Sequence, residues 1–189
     1  MEQPVSKKAR IAYFCVKLAV FSLLALFVFL FRSQHVENLK PFIGTLMLLY
    51  GAEGFLQEAF FHHLGFIKES KTYLAFIELI FGMVLILAPL QFEYVCIIWA
   101  TWSIVRESYE LKEIVTDFKT ITPRVLSGLE SVAVIVFSIL LIMDPVEHHA
   151  IIHMTLLVLE LVLSPLVVLI DEVIQHYKKK TKPQGNPEE

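Results

Sequence analysis

The chain has 189 residues, an ordinary single-domain length, yet 56% of them are hydrophobic, with 15 Phe beside two Trp. Its mean hydropathy is +0.65. A soluble domain is about 45–50% apolar, so this excess excludes a water-solvated globule and calls for the lipid bilayer as a second solvent. The formal net charge is −3, and no nucleic-acid partner is expected.

Residues 1–10, with Lys7, Lys8 and Arg10, form a short polar lead on the cytoplasmic side. Six apolar segments follow, at 11–31, 41–61, 72–90, 92–111, 125–143 and 150–170. Each approaches the roughly 20 residues a helix needs to cross about 30 Å of hydrocarbon. Stretches such as 131–143 are apolar all round, which leaves a helix no water-facing side. The first segment is a full span with no small-x-small cleavage site after it, so it reads as a retained signal-anchor.

Pro41 opens the second span at the favoured first-turn position. Gly65 marks the turn between the second and third spans. Ala88-Pro89 and Asp144-Pro145 end the third and fifth, because the residue before a proline is driven out of the helical region. Residues 112–124 form the longest inner connection, read as an interfacial turn of helix. The tail after Tyr177, Lys-rich and then broken by Pro183, Gly185 and Pro187, reads as disordered. The expected organisation is a lead at 1–10, a six-helix membrane domain at 11–172 and a basic disordered tail at 173–189.

Charge sets the orientation. Lys7, Lys8, Arg10, Lys68, Lys71, Lys112, Lys119, Arg124, Lys178, Lys179, Lys180 and Lys182 fall on one side. The opposite connections carry Arg32 and Lys40 with Glu37, Glu93, Asp144 and Glu147. By the positive-inside rule both termini face the cytoplasm, and the location expected is the cell's inner (cytoplasmic) membrane. Cys15 and Cys96 fall at opposite depths on this reading, so a disulfide between them is not expected.

A repeat runs beneath the spans. Ala25, Arg32 and Gly51 are followed 57 residues later by Gly82, Pro89 and Ser108, and 56 after that by Ser138, Pro145 and Ser164. Each unit accommodates two spans and a tight turn, which predicts an all-α polytopic membrane protein of six transmembrane helices arranged as three consecutive helical hairpins. The pattern Gly82-x6-Pro89 with Ser108, its echo Ser138-x6-Pro145 with Ser164, and the first copy with Arg32 in the proline position resemble the HdeD-like family of small bacterial membrane proteins. The resemblance covers about residues 11–172. The chain departs from that family in being glycine-poor, with Ser where Gly is expected. The resemblance implies six helices, an inner-membrane location and an association with acid or envelope stress, and it supplies no activity.

Ionisable residues inside spans are costly, about 2.5–3.5 kcal/mol each at the bilayer centre on insertion scales, and so mark candidate sites. The set here is Glu53, Glu78, Arg106, Glu107, Glu110, Glu130 and Glu160, joined by Ser164. On the sixth span His149, His153, Glu160, Ser164 and Asp171 fall at steps of 4, 7, 4 and 7, which keeps them on one face. Pro165 is expected to bend that helix and free a carbonyl. The acids and Arg106 admit three readings. They pin the helices together, they form a path for protons or a cation with some carboxylates neutral because burial disfavours charge, or they line a substrate pocket. His148, His149 and His153 near the outer surface are candidates for sensing acid, since histidine titrates near about 6.5. As a zinc site they lack a clear fourth ligand, and no metal is expected.

No Walker loop, HExxH, Gly-x-Ser-x-Gly or Cys-x-x-Cys occurs, so neither an enzyme nor a cofactor is expected. The function expected is that of a multi-pass membrane protein of HdeD-like type with no identified reaction. The alternatives are a small proton or cation transporter or channel and a membrane scaffold. Partners are the lipid bilayer and, in the scaffold reading, further copies of the chain.

Overall fold

A computed structural model describes residues 7–62, 70–116 and 121–181. Seven helices make up the described residues: α1 (Lys7–Leu30), α2 (Arg32–Glu37), α3 (Leu39–His62), α4 (Ser70–Leu87), α5 (Phe92–Thr116), α6 (Ile121–Met143) and α7 (Glu147–Thr181). The breaks fall where backbone chemistry puts them. Pro41 sits in the first turn of α3, where its missing N–H costs nothing, and Pro89 and Pro145 lie just beyond α4 and α6. The turn expected at Gly65 lies outside the described residues.

Three helices contain apolar stretches long enough to cross a membrane, Ile11–Leu30, Arg124–Met143 and Glu147–Asp171, and α4 carries a shorter one, Thr72–Leu87. Polarity is inverted relative to a soluble bundle. Leu23, Leu26, Phe27, Phe76, Ile80, Val84, Leu129, Val132 and Val136 are exposed, while Glu78, Glu107, Glu130, Glu160 and Asp171 are buried. Apolar surface on this scale needs an apolar solvent. The chain is therefore a helical membrane protein.

The helices do not pair as the repeat suggests. The closest-packed pairs are α3 with α4, α1 with α7 and α5 with α6, followed by α6 with α7, while α1 with α3 and α4 with α5 are not among the extensive contacts. The first two expected hairpins are thus connected in sequence but split in space. The packed units are shifted by one helix, and the first and last membrane helices close the set. Glycine explains the strongest pair. A Cβ built on Gly51 would lie 2.7 Å from the Ala75 carbonyl oxygen, and one on Gly82 would lie 2.7 Å from the Gly44 carbonyl oxygen. Gly44 and Gly51 on α3 face Ala75 and Gly82 on α4, so the two backbones touch, as small residues permit in lipid. Next to the end of α4, Lys40 Nζ donates to the Ala88 carbonyl (2.9 Å), which also accepts from the Leu90 N–H (2.9 Å).

The apolar core lies toward the end of the bundle that carries α2 and the turns at Pro89 and Pro145. Val28, Ile43, Leu46, Met47, Leu85, Val95, Trp99, Leu141 and Met154 are all nearly inaccessible. The buried carboxylates lie on the far side of this core from those turns.

Other departures are local. The outer connection after α1 contains the helix α2, which packs on α7 and buries Val36. α1 begins at Lys7, so the last part of the expected polar lead is helical. α7 runs to Thr181, so residues 173–181 continue a helix and are not the disordered tail expected there. Lysine has good helix propensity and nothing before Pro183 stops the turn. α7 also passes through Pro165 without a break. α5 and α6 reach to Thr116 and Ile121, extending both helices into the expected inner connection.

His35 on α2 stacks on Phe42 with ring centroids 4.2 Å apart and lies 5.1 Å from the Phe27 ring. Its Nε2 is shut off from solvent without a partner. Burial lowers its pKa below the usual histidine value, against a smaller opposite effect of a hydrogen bond to the Phe27 carbonyl. With the folded pKa depressed, the unfolded chain binds the extra proton first. Stability is therefore full above about pH 6.5 and falls as pH drops from there toward the folded value. His35→Phe is expected to flatten this acid-side decline in a melting series from pH 7.5 to 5. An unchanged slope would show that protonation elsewhere governs it.

Candidate functional site

Three neighbouring polar assemblies divide the sequence-selected residues. In the first, Glu53 on α3 takes the Lys17 ammonium at 2.8 Å and the Tyr13 hydroxyl at 2.8 Å, both from α1. This satisfies Glu53 apart from Arg106, so it is not a direct partner in the arginine network. In the second, Trp102 Nε1 on α5 donates to Glu78 Oε1 on α4 (3.1 Å).

The third assembly is built around α5. Adjacent residues on a helix diverge by about 100°, so Arg106 and Glu107 address different neighbours. Arg106 Nη2 lies 3.2 Å from Glu110 Oε1 one turn below and 3.3 Å from Glu160 Oε1 on α7. Its guanidinium lies over the Tyr50 ring of α3, 3.5 Å from the centroid, and 5.8 Å from that of Trp102. The Tyr50 hydroxyl donates to the same Glu160 oxygen (3.2 Å). A planar cation can stack and bridge at once, which an ammonium cannot do.

Glu107 points the other way, toward α6. It is fully buried, with Glu130 of α6 and Glu160 of α7 beside it, and one carboxylate oxygen from each of the three lies within 4.8 Å of the others. Both oxygens of Glu107 and both of Glu130 have no hydrogen-bond partner among the described residues. Ser131, fully buried next to Glu130 in sequence, faces Glu107 while its Oγ makes no hydrogen bond of good geometry. The three acids share a level because α5 and α7 begin at the same end of the bundle, where α6 finishes. At 1.5 Å per residue each lies roughly 20 Å from that end.

The stripe of polar residues along α7 does not form a single site. His153, Glu160 and Asp171 are buried and Ser164 is half-buried. Ser164 lies outside the hydrogen-bonded network among the described residues. His153 Nε2 meets Ser103 Oγ at 3.1 Å, and its ring stands edge-on to Trp99 at 4.5 Å. His149 instead sits near the surface with Nδ1 2.8 Å from the Asp144 carbonyl oxygen and 3.5 Å from Asp144 Oδ2, and His148 is exposed. The three histidines expected to act as one acid sensor are thus two surface groups and one core group. One turn of α7 carries the chain from the rim into the interior.

Buried polar atoms continue above the carboxylates. Ser127, Ser131 and Ser138 share the buried face of α6, and the Ser138 hydroxyl and His153 Nδ1 are also without partners among the described residues. Sequence reasoning missed Tyr50 and Tyr13. Each is an aromatic residue with a polar tip inside an apolar run, close in sequence to Glu53 or Lys17, and that was the available signal. No protein-family model, curated protein or solved structure matches this chain.

Proposed function

We propose that this chain is a six-span inner-membrane protein that binds and transfers protons or a small cation through its buried carboxylates, acting as a carrier and not as an enzyme. The observation that carries the reading is the meeting of Glu107, Glu130 and Glu160 from three helices, with the four oxygens of Glu107 and Glu130 making no hydrogen bond of good geometry among the described residues. Carboxylates that served only to pin helices would be saturated with donors, as Glu53 is, because an unmade bond to a buried charged group forfeits its desolvation cost. Groups left open in this way suit a transient occupant.

Six spans are supported by length. α3 and α5 have 24 and 25 residues, about 36 Å at 1.5 Å per residue, and Glu53 and Glu107 within them meet groups of other helices. The concentration of Lys and Arg at the termini and at the connections 62–71 and 112–124 supports both termini in the cytoplasm. The carboxylates then open toward that side, with the apolar plug around Trp99, Leu141 and Met154 sealing the other. The HdeD-like resemblance accords with this topology and adds the proposal of a role under acid or envelope stress.

The test is proton flux in proteoliposomes under an imposed pH gradient, followed with an entrapped pH dye. Wild type should dissipate the gradient at least about tenfold faster than empty liposomes. Glu130→Gln and Glu160→Gln should return the rate to background, while Glu53→Gln keeps it. Flux equal to empty liposomes in the folded wild-type protein, with or without added cations, would remove the proposal.

A further inference from the structure

We infer that Glu107, Glu130 and Glu160 form a binding site for one hard divalent cation of the Mg2+, Mn2+ and Ca2+ class, which exchanges there with two protons. The inference rests on the carrier reading and gives its occupant and stoichiometry.

Geometry comes first. Oxygen ligands on opposite sides of such an ion are separated by about 4–5 Å, twice the ion–oxygen distance of roughly 2.0–2.6 Å. One oxygen from each of the three carboxylates lies within 4.8 Å of the others, so an ion among them would lie no more than about 2.8 Å from each (4.8 Å divided by √3), and small side-chain rotations bring all three into coordination range. The donor set consists of oxygens alone, which suits hard cations and not the softer metals that favour thiolate or imidazole. Ser131 is the independent indication. Its hydroxyl is fully buried, directed at Glu107 and without a hydrogen bond of good geometry among the described residues, and a hydroxyl or its bound water completes the oxygen shell of such ions.

Charge fixes the stoichiometry. Every element packed around the site contributes a group. α5 supplies Arg106, Glu107 and Glu110, α6 supplies Glu130, α7 supplies Glu160, α3 supplies Tyr50, and Glu78 of α4 is near enough to act on Glu160. Glu78 accepts from Trp102, and Glu53 beyond it is neutralised by Lys17. Arg106 takes up the charge of Glu160 while also meeting Glu110, which is partly exposed at the inner end. Among the described residues Glu107 and Glu130 have no cation bonded to them and no hydrogen bond of good geometry. Two negative charges at this depth require two positive ones. Two carboxylic acids supply them as protons, or one divalent ion replaces both. Binding one ion to the two acids releases two protons, and the reverse step takes up two protons and frees the ion, so the net charge of the site never changes. Arg106 keeps the site at two net charges where three free carboxylates would hold the ion too tightly to release it.

The experiment uses the purified full chain in detergent with Mn2+ as probe. Free Mn2+ is read by electron paramagnetic resonance, and released protons are read with a pH dye in weak buffer at pH 6. One Mn2+ should bind per chain with release of about two protons, and Mn2+ should raise the melting temperature. Glu107→Gln and Glu130→Gln should each weaken binding by at least the roughly 10–100-fold that loss of a ligand's own hydrogen-bond partner costs, while Glu53→Gln leaves it intact. If the glutamine variants fail to fold, the proton count and thermal shift of wild type decide alone. Wild type that binds no Mn2+ saturably, or binds it with no proton release, overturns the divalent inference. Proton flux that persists in that case leaves the carrier reading standing, and its absence removes both.

Discussion

Arg106→Ala is expected to lower the stability of the folded protein by about 3–5 kcal/mol, the usual cost of removing one partner from a buried ion pair. The side chain meets Glu110 and Glu160 and covers the Tyr50 ring, so its loss strands Glu160 with the Tyr50 hydroxyl as its remaining donor among the described residues. Adding Glu160→Gln should recover part of the loss, because a neutral amide no longer needs the cation. In thermal melts in mild detergent the double variant should therefore melt above Arg106→Ala alone. Arg106→Lys should fall between wild type and alanine, since an ammonium keeps the charge but cannot lie flat on Tyr50 while reaching two carboxylates. An alanine variant melting with wild type would show that the arginine holds nothing together.

Gly51→Ala should produce the second-largest loss, about 1–3 kcal/mol for overpacking a rigid contact. The new methyl would meet the Ala75 carbonyl oxygen at 2.7 Å and Leu79 Cγ at 2.8 Å. The carbonyl belongs to a helix backbone and cannot swing away, so α3 and α4 must separate. Gly128 is the control, because nothing lies within 4 Å of the Cβ it would gain. Gly128→Ala is expected to be neutral or to add up to roughly 0.5–1 kcal/mol from helix propensity. Equal melting temperatures for the two variants would contradict close backbone contact as the basis of the α3–α4 pair.

Much of the fold was legible because its signals are local. Apolar runs of span length, with Pro41, Pro89 and Pro145 near their ends, depend only on the chain beside them. The acids were legible as candidates because a carboxylate in an apolar helix has no bland explanation in lipid. Their grouping was not. Glu53 and Arg106 looked like one network, yet Lys17 and Tyr13 claim Glu53, and which cation reaches which acid depends on helix rotation. The histidine stripe misled in the same way. Position on one face of α7 is set by periodicity, but depth decides that His149 meets Asp144 at the rim while His153 meets Ser103 in the core. The repeat likewise gives Gly51 and Ser108 equivalent positions, yet Gly51 lies against the α4 backbone whereas Ser108 is exposed.

By itself the sequence determined that the chain is helical, where its helices break, and that charge must be hidden inside an apolar exterior, since each of these follows from hydropathy and backbone sterics along a short stretch. Only the tertiary structure decided that α1 closes on α7, that α3 packs on α4 through glycine, and that Arg106 turns to Glu110 while its neighbour Glu107 turns to Glu130, with Glu160 beside both. Those outcomes depend on how helices rotate and approach across long sequence separations. The meeting of Glu107, Glu130 and Glu160 is such an outcome, written in no single helix.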